Sequence, residues 1–119
     1  MPVSPMPLRT PFCLDHVAIA IPVRNEARRI RRLLDSLARS AERVPWPVEV
    51  TVLANNCVDD SAAITRAFQH PALRIAVHEV TFSAPMASAG RARRVAMDAA
   101  ARPGGLLMTT DADAICDPD

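Results

Sequence analysis

Several residue types are absent or scarce in this 119-residue chain, and each shortage excludes a class of protein. All 14 basic residues are arginines, and the net charge is only +1. The chain therefore lacks the strongly basic character of nucleic-acid binders. Aromatic residues make up 3% of the chain, too few for a platform on which single-stranded bases stack. We expect no nucleic-acid partner.

Glycine, cysteine and long apolar runs are scarce as well. Three glycines do not form a dinucleotide-binding fingerprint or a phosphate-cradling loop. The three cysteines are odd in number and far apart, which does not suggest a disulfide framework, and Cys13 with His16 lacks the second pair of ligands that zinc needs. No apolar run resembles a secretory signal or reaches the roughly 18 residues of a membrane span. We therefore expect a cytoplasmic protein.

The remaining composition is typical of a globular domain, with 50% hydrophobic and 23% charged residues. Residues 1–15 contain four prolines without periodicity, which predicts a flexible lead-in. Residues 16–119 form the predicted domain. Because no helix is predicted after its last strand, we expect it to be the N-terminal part of a larger, truncated unit.

Short apolar runs alternate with helical patterns along this domain. Strands are predicted over 16–21, 48–54, 73–80 and 105–110, and helices over 26–43, 61–68 and 89–102. The first run, HVAIAI, is continuous and apolar and stops at Pro22, as in a central strand buried on both faces. The order predicts an α/β fold with an open, mainly parallel sheet of about four strands and alternating helices.

Acidic and amide side chains follow the predicted strands, where ligands bind in sheets of this kind. Asp111 and Asp113 lie two residues apart after the fourth strand and point the same way, which suits Mg²⁺ or Mn²⁺ bridging a diphosphate. A solvated turn is the alternative for this pair. Asn25 with Glu26 could equally well cap the first helix, and capping is the favoured role of the acidic residues before Ser61.

Arginines form two groups with different expectations. Arg91, Arg93 and Arg94 lie in the first turns of the third helix, whose N-terminus should lie at the same edge as Asp111, so a guanidinium there could pair with a phosphate. Residues 28–32 contain four arginines on the exposed side of the first helix. Their ordinary role is a solvated face, and the alternative is attraction to anionic lipid headgroups at the inner face of a membrane.

Three segments in order carry a family resemblance: IPVRNEA after the first strand, VLANNCVDDS after the second and MTTDADAICDPD at the fourth. Residues 16–119 resemble the nucleotide-binding half of family 2 glycosyltransferases, which have the Rossmann-like GT-A fold. By this resemblance, Asp111 and Asp113 form the family's Asp-x-Asp motif, which holds Mn²⁺ or Mg²⁺. It also implies that a nucleotide-diphospho-sugar contacts Pro22, Val23, Asn25, Glu26 and Asn55.

The resemblance implies transfer of the sugar to an acceptor hydroxyl, with inversion, on a saccharide or a lipid-linked acceptor. The catalytic base would come from the second half of the domain, so we expect no catalytic residue in this chain. There are two departures: Asn55 replaces the family's more common aspartate, and Arg94 stands where asparagine is frequent. Both leave the choice of nucleotide open.

Alternatives to this function remain. The first is a non-catalytic nucleotide-binding or interaction module that retains only the half-fold. A receiver-like signalling domain would need an acidic pair after the first strand and a lysine, and a sugar nucleotidyltransferase would need a glycine-rich loop there; the sequence has none of these. Exposed sheet edges would favour self-association. A strictly monomeric, folded protein on a sizing column would argue against that hypothesis.

Overall fold

Strands and helices alternate along residues 15–83 and 89–111, the part of the chain that the computed structural model describes. The elements are β1 (His16–Val23), α1 (Ile30–Ala41), β2 (Val48–Asn55), α2 (Ser61–Ala67), β3 (Leu73–Val80), α3 (Ala89–Ala100) and β4 (Gly105–Thr109). The predicted α/β class and the element order are confirmed. No helix within the described ranges is both long and apolar enough to cross a bilayer.

The four strands form one parallel sheet in the order β3-β2-β1-β4. The chain moves outward from β1 to β2 and β3, and then crosses back to place β4 on the other side of β1. The strand order therefore reverses between β1 and β4. In open α/β sheets, the crevice at the carboxyl ends of two such strands is where ligands bind.

The two faces of the sheet are covered by different kinds of helix surface. On one face α1 buries a broad apolar stripe against the odd-numbered residues of β1. On the other face α3 presents three alanines at intervals of four, Ala92, Ala96 and Ala100, which pack against Ala18 and Ala20. Burial on both faces accounts for the continuous apolar run of β1.

β1 continues through Pro22, where we expected it to stop. The carbonyl of Ala20 accepts hydrogen bonds from the Thr109 hydroxyl and the Thr110 N–H, so this part of β1 faces β4. Backbone groups two residues apart face the same way. Pro22 therefore turns its nitrogen toward the side where β4 pairing has already ended at Thr109. Its missing N–H costs the sheet no hydrogen bond there.

α1 begins at Ile30, four residues later than its apolar periodicity predicts. Residues 27–29 form a turn instead, although the Ile30 N–H already donates to the Glu26 carbonyl at 2.9 Å. The Glu26 N–H donates to the side chain of Ser61, the first residue of α2, and the Ala27 N–H donates to Asp59 in the loop between β2 and α2. That loop, rather than a helix cap, shapes the entry to α1.

Candidate functional site

The carboxyl ends of all four strands meet at one edge of the sheet, because the strands are parallel. The segments that follow them begin at Arg24, Asn56, Thr81 and Thr110. α3 also starts near this edge, since it precedes β4. The sequence predicted that these segments would converge, and the topology confirms it.

Asn25 joins the loop after β1 to the loop after β2. Its backbone is in the left-handed region, at φ 54°, which asparagine tolerates better than most residues. Its side-chain Oδ1 accepts a hydrogen bond from the Val58 N–H at 2.8 Å, and its own N–H donates to Cys57 Sγ at 3.4 Å. Asn25 therefore does not cap α1.

Asp59 and Ser61 hold the same two loops together from the β2 side. The Ser61 Oγ accepts from the Glu26 N–H at 2.8 Å, and Asp59 Oδ2 accepts from the Ala27 N–H at 3.1 Å. Asp59 Oδ1 accepts from both the N–H and the hydroxyl of Ser61. The Ser61 hydroxyl, helped by the two N–H groups, holds the pKa of Asp59 below its ordinary value.

The expectation that the acidic residues before Ser61 cap α2 was thus incomplete for Asp59 and wrong for the Asp60 side chain, which makes no capping hydrogen bond. Asp59 does satisfy the Ser61 N–H, as a capping residue would, but its second oxygen binds the first loop. An Asx turn is visible in a sequence, whereas a partner 32 residues away is not. This contact needs the parallel pairing of β1 and β2.

Asn55 ends β2 and is almost completely buried, with 5% of its surface exposed. Its Nδ2 donates to the Val23 carbonyl at 3.0 Å, so the side chain fastens the end of β1. Val23 is buried and Pro22 half-buried. These three residues form the floor beneath the first loop, and base recognition by Asn55 stays a prediction.

Asn56 fixes the segment after β3 through both ends of its amide. Its Nδ2 donates to the Phe82 carbonyl at 2.9 Å, and its Oδ1 accepts from the Phe82 N–H at 3.0 Å. Like Asn25, it has a positive φ, here 51°. The Phe82 ring lies 5.6 Å from the guanidinium carbon of Arg91, in cation–π range. No local sequence pattern indicated a role for Asn56 or Phe82.

Arg93 and Asp111 form an ion pair at the crevice between β1 and β4. Arg93 Nη2 donates to Asp111 Oδ1 at 2.8 Å. This hydrogen bond links α3 to the segment that follows β4. The two side chains are 41% and 61% exposed. This contact confirms that α3 opens beside Asp111.

Two further predicted ligand-binding residues are Glu26 and Asp113. Glu26 is half-buried, and its Oε1 accepts from Arg29 Nη1 at 2.9 Å. Asp113 lies outside the described residues. Among residues 15–83 and 89–111, no three acidic, histidine or cysteine side chains lie close enough together to hold a metal ion. The metal site therefore stays a prediction.

Known structures share this architecture. The chain superposes on the S. aureus TarS fragment 1–349 in complex with UDP with a TM-score of 0.65 and 23% identity, over 84% of this chain and 28% of that one. A second structure of S. aureus TarS 1–349 gives a TM-score of 0.66 and 23% identity over 86% of this chain. The chain thus spans 28% of the length of these structures. At this identity the likeness shows the fold.

The sequence comparison reaches further than the fold. No curated protein matches the chain. The family model described as glycosyl transferase family 2, however, matches residues 18–119. This range includes all three helices and all four strands, apart from the first two residues of β1. The chain belongs to glycosyl transferase family 2.

Proposed function

We propose that this chain supplies the donor-binding part of a glycosyltransferase that uses a nucleotide-diphospho-sugar. The observation that carries the proposal is the Arg93–Asp111 pair at the point where the strand order reverses. A guanidinium suits a phosphate, and a carboxylate suits a divalent cation that bridges phosphates. Arg93 is half-buried and Asp111 exposed, and both side chains are accessible enough for a ligand to reach them.

The described residues fit a divalent cation at Asp111. Its carboxylate is a hard oxygen donor, and with 61% of the side chain exposed a cation can reach it. Asp111 and Asp113 would hold Mg²⁺ or Mn²⁺. Such a cation, when bound, supplies Lewis acidity that neutralises charge on the departing diphosphate.

The chain's own contribution is a rigid edge beside this pair. The loops after β1 and β2 are held together by hydrogen bonds that the side chains of Asn25, Asp59 and Ser61 accept. Asn56 holds the segment after β3 to the end of β2. Groups held in place before binding lose less entropy when the donor arrives. We infer that these ties preorganise the walls of the donor site.

Acceptor chemistry belongs to the whole protein and is part of the proposal. The chain spans 28% of the matched structures, and the proposed inversion at the sugar needs a general base that we place outside residues 1–119. The acceptor would be a hydroxyl of a saccharide or of a lipid-linked sugar.

Calorimetric titration of UDP and GDP, with and without Mn²⁺, tests the donor site. UDP is the first nucleotide to try because the matched TarS structure contains it. We expect metal-dependent binding that Asp111→Ala combined with Asp113→Ala abolishes, since the cation bridges protein and diphosphate.

The control is Asp98→Ala, which removes an exposed carboxylate near the far end of α3 and should leave nucleotide binding unchanged. Circular dichroism verifies that each variant is folded. Absence of nucleotide binding by the folded wild-type chain would contradict the proposal, as would binding that the double substitution leaves intact.

A further inference from the structure

The Arg93–Asp111 ion pair occupies the carboxylate to which the proposed function assigns a divalent cation. Arg93 Nη2 and Asp111 Oδ1 are 2.8 Å apart, which is a charge-assisted hydrogen bond of ordinary length. A guanidinium and a divalent cation on the same carboxylate repel each other, and at a few ångströms this repulsion is only partly screened. The donor-free arrangement therefore competes with metal binding.

The pair is also weak enough to open. Arg93 is 41% and Asp111 61% exposed, and ion pairs that water and salt can reach contribute little because they are screened. Arg93 sits in the early turns of α3, while Asp111 follows β4, so a change of side-chain rotamer in Arg93 separates the groups without moving the backbone. Opening leaves a cationic side chain beside the carboxylate.

We propose that Arg93 is an exchangeable counter-ion of Asp111: it holds the carboxylate while the donor is absent, yields it to the divalent cation, and then pairs with the donor's diphosphate. This inference rests on the proposed function and adds an ordering of charges within that site. The diphosphate restores to Arg93 the negative partner that the cation removes. Metal and donor binding are thereby coupled through one side chain.

Arg94 provides a matched control within the same helix. It is the next residue along, carries the same charge and is exposed. Within the described residues it forms no ion pair with Asp111. Variants at 93 and 94 therefore change the net charge of α3 equally and differ in the Asp111 contact.

Mn²⁺ binding to the chain, measured from the electron paramagnetic resonance signal of free Mn²⁺ without nucleotide, tests the competition. Arg93→Gln should raise Mn²⁺ affinity about two- to fivefold at low salt, the range of an exposed ion pair, and the gain should shrink at high salt. UDP affinity with saturating Mn²⁺ should fall about tenfold or more, because a charged hydrogen bond to phosphate is lost.

Arg93→Lys separates this role from a structural one. It keeps the positive charge but loses the planar fork, so Mn²⁺ affinity should stay near the wild-type value while UDP affinity lies between those of the wild type and Arg93→Gln. Arg94→Gln should change the Mn²⁺ affinity less than twofold. Asp111→Asn should abolish Mn²⁺ binding in every background.

The outcomes separate the two proposals. If Asp111→Asn abolishes Mn²⁺ binding while Arg93→Gln leaves it unchanged or weaker, the exchange is wrong and the proposed metal site stands. If Mn²⁺ affinity rises but UDP affinity is unchanged in Arg93→Gln, the transfer of Arg93 to the diphosphate is wrong. If Asp111→Asn has no effect on Mn²⁺, both the metal site and the exchange fail.

Discussion

Asp59 joins two loops through both of its carboxylate oxygens. One oxygen accepts from Ser61 and the other from the Ala27 N–H. The Ser61 hydrogen bond is the main reason why the pKa of Asp59 is lowered. A carboxyl whose pKa is lower in the folded state stabilises the fold at pH values above its unfolded pKa of about 3.9, and this contribution is lost as the pH falls through the folded value.

Asp59→Asn should therefore destabilise the chain most at neutral pH. We expect a cost of about 1 kcal/mol at pH 7 in urea denaturation, the usual scale for such a side-chain contact, and a smaller cost as the pH falls below about 4. Asp60→Asn is the control, because Asp60 makes no capping hydrogen bond with its side chain. A cost that does not depend on pH would contradict this account.

At the scale of elements, the pairing of β1 with β4 depends on the absence of a side chain at Gly105. His16 and Gly105 are direct partners in the ladder, and the His16 ring is 1% exposed. A Cβ on Gly105 would overlap that ring. The other ring nitrogen, His16 Nδ1, is hydrogen-bonded to Asp15 Oδ1, which holds the ring beside Gly105.

Gly105→Ala should destabilise the protein by about 1–3 kcal/mol, since the core must shift to admit a methyl group. Gly90→Ala is the matched change: nothing lies within 4 Å of its added Cβ, and Gly90 is in α3, where alanine is favoured by up to about 1 kcal/mol. Urea denaturation of both variants measures the difference. Equal effects of the two substitutions would contradict the packing argument.

For the whole molecule, the notable surface is a group of exposed arginines beside the candidate site: Arg24, Arg28, Arg31 and Arg32. Within the described chain none of them forms an ion pair with an acidic side chain, in contrast to Arg29 with Glu26. Guanidinium groups bind phosphate in a planar, two-point geometry. We infer that phospholipid headgroups bind this surface.

We predict that the chain co-sediments with vesicles containing phosphatidylglycerol and not with neutral phosphatidylcholine vesicles. At about 1 kcal/mol per arginine, neutralising two of them with Arg28→Gln and Arg32→Gln should lower the affinity roughly 30-fold. The control, Arg39→Gln with Arg74→Gln, changes the net charge equally at exposed positions elsewhere. Equal loss in both double variants would show that only net charge matters.

The sheet edge bears on self-association, which stays a prediction. β4 is the outer strand next to β1, and Leu106 and Met108 are each about half exposed on it. An exposed apolar strand is able to pair with another chain.

Local patterns in the amino-acid sequence were enough to predict the elements and their order. The continuous apolar run predicted β1, and the helical spacing of apolar residues predicted α1 and α3. These predictions were confirmed, because such patterns depend only on residues that are close together in the chain. The motifs after β1, β2 and β4 also predicted the family, because their residue types and their order can be recognised without a structure. Element ends were less exact, as Pro22 and Ile30 show.

The tertiary structure alone decided which side chains meet. Asp59 with Ala27, Asn56 with Phe82 and Arg93 with Asp111 are separated by 18 to 32 residues, and each pair forms because parallel strands bring distant loops to one edge. No local pattern encodes such a contact. The same sheet order placed Asp111 beside β1, where the crevice lies, because β4 crosses back past β1 instead of extending the sheet beyond β3.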